Sequence, residues 1–369
     1  MRPKWVPDPG WTGDWTLPEV LRRPLSDRER GMLVAMSCGG MGPSRLASAL
    51  AGTRTVAEVA GPLSERWRDA LAHLRKLGSR AVVPSDDEYP SVLREISAPP
   101  LLLFVRGRCL ADLMPAVAIV GSRACTTGAK RFAEKLGDAI AAAGFTVVSG
   151  LARGIDGAAH EGALDAGTTL AVLGCGVDVV YPAEHRELAA RIVDRGALVA
   201  EFPPGIGPRA WHFPARNRIL SGLSIALIVV EAGIGSGALI TAGFAGDQGR
   251  EVYACTTGPE NPAGAGVRAM LKDGARFIVD DEQAVEDLIA LAKAQGYDVG
   301  GTMRLAVRPD DLDLGSDGRL VYDAVTDDTT AEEIATSTSL PHARVAAALT
   351  ELELDGHVRS KAGRWSRLS

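Results

Sequence analysis

Between Ala116 and about Leu291 the chain alternates short apolar runs with amphipathic stretches. The runs are AVAIVG (116–121), FTVVS (145–149), TLAVLG (169–174), ALVA (197–200), IALIVVE (225–231), EVYAC (251–255) and RFIV (276–279). Each is apolar at nearly every position rather than at every second one, as strands are when both of their faces are buried. Helical periodicity fills most of the gaps, over Thr127–Ala143, Ile155–Ala166 and Glu184–Arg195. A repeated strand–helix order of this kind predicts an α/β fold around a doubly wound parallel sheet. Ligands in such sheets sit beyond the carboxyl ends of the strands.

The flanks have other patterns. Residues 1–25 carry Trp5, Trp11, Trp15 and, up to Pro18, four prolines among polar residues, and read as a flexible tail. Residues 26–83 read as helical, opened by Ser26 and Glu29 at capping-box spacing. Within them Cys38-Gly39-Gly40-Met41-Gly42-Pro43 suits the turn of a SAM-like or helix-hairpin-helix region, whose backbone amides can hold a phosphate. A plain connector using glycine for left-handed angles has the same composition, and the basic residue nearby is only Arg45. The sheet domain is assigned to 84–295 and a Gly- and Asp-rich linker to 296–316. Residues 317–369 read as helix, tight turn, longer helix and hairpin, the order of a winged helix-turn-helix.

Composition narrows the function classes. With 46% hydrophobic and 23% charged residues in 369, the chain is globular and long enough for more than one domain. No apolar run reaches the ~18–20 residues that span a bilayer. The first fifteen residues lack the apolar core of a secretory signal. Five widely spaced cysteines without a CxxC signal neither a zinc ribbon nor a disulfide framework, so a reducing cytoplasm is expected. The net charge of −6 argues against general coating of nucleic acid but leaves room for a local basic groove. Of the 40 basic residues 33 are arginine, the better side chain for phosphate forks and base stacking.

Common enzyme signatures are missing: there is no GxxxxGK[ST], HExxH or GxSxG. The first run ends in Gly121-Ser122-Arg123 rather than GxGxxG, and the second in Ser149-Gly150 rather than a ribose-binding acid. No catalytic residue, metal site or cofactor is therefore expected. The run ends carry anion chemistry instead. Gly121, Ser122 and Arg123 combine amides, a hydroxyl and a guanidinium before a helix. Arg153 follows the second run. No acidic residue stands between Glu201 and Glu231, a stretch holding Arg209, His212, Arg216 and Arg218 with Trp211 and Phe213 interleaved. A second Gly-rich loop, Glu231 to Gly237, brings Ser236 and Gly237 to a helix start. Each feature also has a plain structural use: Arg123 as a cap or ion-pair partner, Arg216 and Arg218 as anchors at a helix start, the glycines as tight turns. Asp156 and His160, four apart, suit acid–base work but suit first-turn charge and core packing better. Cys175 has no neighbouring cation to lower its pKa.

The strings VAIVGSR, VVSGLARGIDGAAHEGAL, TLAVLGCGVDVVYPAEHREL, HFPARNRILSGLS and VVEAGIGSGALITA resemble the DNA-processing protein A family, also called Smf, from about Pro84 to about Leu288. The resemblance implies a Rossmann-like domain, often with an N-terminal SAM-like region and a C-terminal winged helix. It implies a cytoplasmic, homodimeric protein that binds single-stranded DNA, protects incoming strands in natural transformation and loads RecA recombinase. It implies neither an enzyme nor a membrane protein. Carried over residue by residue, the DNA contacts are Gly121, Ser122, Arg123, Arg216, Asn217 and Arg218. Arg153, Phe213, Ser236 and Gly237 join them from the reading of the run ends, with Phe213 offered as a base-stacking ring. Ala183 stands where members often carry a lysine, which leaves His185 or Arg186 to replace that contact. The competing enzymatic reading is a phosphoribohydrolase on the same sheet, weakened because no glutamate follows the 233–237 loop until Glu251. A regulator reading rests on the winged helix alone, whose second helix, Pro341–Asp355, sets Arg344 and His342 against Glu351, Glu353 and Asp355.

Overall fold

A computed structural model describes residues 15–255, 264–299, 316–326, 329–338, 340–354, 358–361 and 364–367. The chain divides into two compact units, Met1–Met303 and Arg304–Ser369. The first is built on a sheet with strands β1 (Arg80–Val82), β2 (Leu103–Gly107), β3 (Ala116–Val120), β4 (Thr146–Ser149), β5 (Thr168–Leu173), β6 (Ala197–Ala200), β7 (Ala226–Val229), β8 (Glu251–Cys255) and β9 (Arg276–Ile278). Their order is β1-β2-β6-β5-β4-β3-β7-β8-β9. From β6 across to β9 every pairing is parallel. All residues of β3, β4, β6 and β7 are buried, because helices cover both faces. The sheet is thus doubly wound as expected, and the seven anticipated strands lie within a residue or two of their runs.

Helices α1 (Asp27–Cys38), α2 (Pro43–Leu50), α3 (Ala57–Ala60) and α4 (Trp67–Lys76) form the N-terminal segment, followed by α5 (Ser91–Arg94). Ser26 and Glu29 close the expected capping box at α1. The helices between the parallel strands are α6 (Thr127–Ala142), α7 (Ile155–Ala166), α8 (Arg186–Arg195), α9 (His212–Gly222), α10 (Gly237–Asp247) and α11 (Ala265–Lys272), with α12 (Asp281–Ala294) after β9. Thr126 caps α6 by accepting from the Ala129 amide.

Two expectations change. Residues 15–25 are no loose tail: Val20 and Leu21 are buried in one cluster with α1, α2 and the β5 and β6 side of the sheet. The Trp15 indole donates to the Pro99 carbonyl at 3.0 Å. Of the tail expected over 1–25 and the linker over 296–316, residues 1–14 and 300–315 lie outside the described residues. The N-terminal helices are also continuous with the sheet, because β1 and β2 extend it antiparallel beyond β6. Arg30 of α1 forks onto Asp86, with Nη2 to Oδ1 at 2.7 Å, and donates to the Ala81 carbonyl.

In the second unit, α13 (Ser316–Ala324) precedes α14 (Ala331–Thr338) and α15 (His342–Leu354). Strands β10 (Thr329–Thr330), β11 (Val358–Lys361) and β12 (Arg364–Arg367) form a small sheet in the order β10-β12-β11. This is the winged-helix order read from the sequence. Arg344 of α15 forks onto Asp317 of α13, so one of the few cations on that helix is already paired.

Candidate functional site

A cleft of about 890 Å³ opens beyond the carboxyl ends of the parallel strands. From β3 the chain winds outward through β4, β5 and β6, then returns to β7 on the other side of β3. The crevice between β3 and β7 is the topological switch point, where two consecutive connections diverge onto opposite faces and leave a gap. Gly121, Ser122 and Arg123 enter it from β3, and Ser236 and Gly237 from the loop after β7. Phe213, Arg216 and Asn217 reach it from α9. Eight of the ten sequence candidates therefore meet in one place.

The exposed corner of the cleft is cationic and aromatic. The Arg123 guanidinium lies 5.1 Å from the centroid of the Phe213 ring, and Tyr181 tilts against the same ring at 5.8 Å. Arg209 adds a further exposed cation to the wall. A guanidinium on an aromatic face is attracted by the ring quadrupole and presented with little freedom left to lose.

Arg216 is the buried cation. Its Nη1 donates to the carbonyls of Gly150, at 3.0 Å, and Val172, and its Nε to Asn217 Oδ1 at 3.2 Å. Burial pushes its pKa below the usual guanidinium value, partly offset by Asp156. Gly150 leaves room for this guanidinium, since a Cβ would fall 2.5 Å from both terminal nitrogens of Arg216 and displace them. Asp156 accepts from the amides of Gly150 (3.1 Å) and Ala152 (3.4 Å), fixing the β4–α7 turn in which Leu151 sits at φ 56°. Burial raises the Asp156 carboxyl pKa, with Arg216 pulling it back. His160 is fully buried against Thr169, 2.7 Å from its hydroxyl, and burial lowers its pKa to about 3. Both groups serve the packing, which leaves no acid–base pair at this position.

The N-terminus of α10 forms the remaining wall. Ser236 stands at the N-cap without a side-chain capping bond, and its Oγ is buried without a partner. Asn217 Nδ2 donates to the Gly237 carbonyl at 3.3 Å, holding α10 against α9. Uncapped first-turn amides and an unsatisfied hydroxyl at the positive end of a helix dipole suit an anion.

Three expectations are corrected. Arg218 does not face the cleft: its guanidinium is buried on the other side of α9, forked onto Glu201 at 2.9 and 2.5 Å. It also donates to the carbonyls of Ala98 and Ala215 and lies 5.4 Å from the Trp15 ring. Arg153 lies beside the cleft and is paired with Glu184. The Ser122 amide is not free for a phosphate, because it donates to the Glu231 carbonyl at 2.7 Å. The Glu231 carboxylate, fully buried, accepts from the Thr126 hydroxyl at 2.9 Å and so braces the loop between β3 and α6. The sequence reading did not single out Tyr181. Its signal was the Tyr-Pro that follows β5, an aromatic at the end of a parallel strand.

Residues 80–289 match the model of the family described as DNA recombination-mediator protein A. Residues 308–364 match the DprA winged helix domain. The chain is 37% identical over 297 residues to Protein Smf of Escherichia coli, covering 78% of this chain and 77% of that one. It is 39% identical over 220 residues to the DNA processing protein DprA of Bacillus subtilis, covering 59% and 74%. Among solved structures, DprA from Streptococcus pneumoniae aligns at 33% identity with a TM-score of 0.58, covering 73% of this chain and 95% of that one. DprA from Helicobacter pylori, whose structure concerns a single-stranded DNA binding mode, aligns at 25% identity and a TM-score of 0.53, covering 57% and 96%. With the model matched across the whole sheet and a relative this similar over three quarters of both chains, this chain belongs to the DNA recombination-mediator protein A family.

Proposed function

We propose that this protein binds single-stranded DNA in the cleft between β3 and β7, protects it, and hands it to the RecA recombinase in the cytoplasm, working as a homodimer. The observation that carries the reading is the convergence of Arg123, Arg209 and Arg216 against one carboxylate, Asp156, beside the Phe213 and Tyr181 rings. Phosphates would meet Arg123 and the α10 N-terminus, and an unstacked base would meet the aromatic corner. Duplex DNA keeps its bases stacked inside and cannot use that corner. The RecA step and the dimer rest on the family. The H. pylori relative, with its single-stranded DNA binding mode, supports the choice of ligand.

The role is binding rather than turnover. Glu231 is the carboxylate nearest the Gly-rich loop, and it is engaged with Thr126 inside the protein. The winged helix is a secondary element, since Arg344 of its α15 is tied to Asp317. Titration of a labelled single strand and the matching duplex over a salt series tests the proposal. The single strand should bind more tightly, with log affinity falling linearly against log salt by ~0.7 per phosphate neutralised. Equal affinity for duplex, or a constant independent of salt, would refute it.

A further inference from the structure

Arg153 and Glu184 form a fork, with Nε to Oε1 at 2.5 Å and Nη2 to Oε2 at 2.7 Å. Both side chains are more than half exposed, 62% and 52%. They come from two connections that also border the cleft. Ala152, the neighbour of Arg153, lines it, as does Tyr181, three residues before Glu184. The connections are held together without the fork, because His185 Nδ1 donates to the Leu151 carbonyl at 3.0 Å. Gly154, the residue after Arg153, has φ 76° and packs against the carbonyls of Ser122 and Arg123. The fork therefore stands at the rim, one residue from the corner that presents Arg123.

A carboxylate on a guanidinium fork has the geometry of a phosphate on the same fork. An exposed pair of this kind contributes little to stability. We propose that Glu184 is an internal competitor: it occupies Arg153 in the free protein and yields it to a DNA phosphate at the cleft rim, so the pair tunes affinity and salt dependence. The proposal rests on the cleft being the single-strand site. In the exchange Arg153 gains a phosphate while Glu184 returns to solvent and takes up a cation. Counterion release by the strand is then nearly cancelled. Without the carboxylate, Arg153 adds its phosphate contact with full counterion release.

The test is Glu184→Gln, which keeps the side-chain length and removes the charge. Binding of an oligothymidylate should tighten roughly two- to fivefold, the range of an exposed pair. The salt slope should steepen by ~0.7. Adding Arg153→Gln to that variant should abolish both gains. Glu161→Gln removes the same charge from another exposed pair, that with Arg191, and should leave the slope as it is. An unchanged slope in Glu184→Gln, while Arg123→Ala still weakens binding, overturns the competitor role and leaves the cleft reading standing. A gain equal to that of Glu161→Gln also overturns it, by reducing the effect to net charge. If Arg123→Ala is silent as well, the cleft reading itself fails and takes this proposal with it.

Discussion

Replacing Arg218 by methionine separates architecture from binding on α9. The guanidinium and the Glu201 carboxylate are both nearly inaccessible, at 1% and 4% of their side-chain surface. Methionine fills much of the volume but leaves the carboxylate buried without its cation, and the carbonyls of Ala98 and Ala215 without that donor. Breaking one side of a buried pair costs about 3–5 kcal/mol, most of it the penalty on the abandoned charge. In a unit of this size about 1 kcal/mol corresponds to roughly 2–4 °C in Tm, so the midpoint should fall by roughly 6–20 °C. Adding Glu201→Leu should recover a large part of the loss, because replacing a whole buried pair by apolar groups is often nearly neutral. Circular dichroism melts, paired with single-strand titration well below the midpoint, read the two effects separately. Affinity of the folded protein should stay within about twofold of the parent. A tenfold loss of affinity with an unchanged melt would refute the assignment of Arg218 to the core.

Arg123→Ala should show the opposite pattern: an unchanged melt, a loss of about tenfold or more in single-strand affinity for a charge-assisted bond of roughly 1.5–3 kcal/mol, and a shallower salt slope. Intact affinity in a titration would remove Arg123 from the site. Gly150→Ala should displace the Arg216 guanidinium, so both Tm and affinity should fall; a variant matching the parent in both would show that Arg216 has room to move. His160, neutral and buried with its pKa lowered to about 3 from 6.5, favours folding fully above pH 6.5. Its contribution is lost as pH falls from there toward 3, by up to about 1.4 kcal/mol per unit. Denaturant melts of His160→Gln should therefore depend less on pH between 6.5 and 5 than those of the parent, and parallel curves would refute the assignment.

The parallel strands were readable because burial on both faces leaves an unmistakable trace, a short run without polar alternation. Their carboxyl ends then located the cleft, since Gly121 to Arg123 and Ser236 to Gly237 follow such runs directly. The antiparallel extension was hidden. β1 is only three residues long, and β2 sits in the continuous apolar run LLLFV, whose pairing partner, β6, lies some ninety residues away. Trp15 and Leu21 were hidden for a related reason. Proline and polar neighbours set the composition of the segment, while the site each side chain fills is built by residues remote in sequence.

The Arg216–Arg218 error has a geometric cause. The segment from Arg209 to Arg218 reads as a basic run, in which neighbouring charges share one direction. It is largely a helix, in which each residue turns 100° and two residues turn 200°. Arg216 and Arg218 must therefore leave α9 on opposite sides. Phe213, Arg216, Asn217 and Leu220, spaced three and four apart, form the side that lines the cleft. Arg218 and Gly222 lie on the other side, with Gly222 packed against Leu93 and Ile96 and Arg218 against Glu201. The two roles are separable, because each face of α9 is held by its own contacts: Arg218 by the fork with Glu201, and Arg216 by the carbonyls of Gly150 and Val172 at the cleft floor. Losing the buried fork therefore weakens the fold while Arg216 keeps its own hold on the cleft floor.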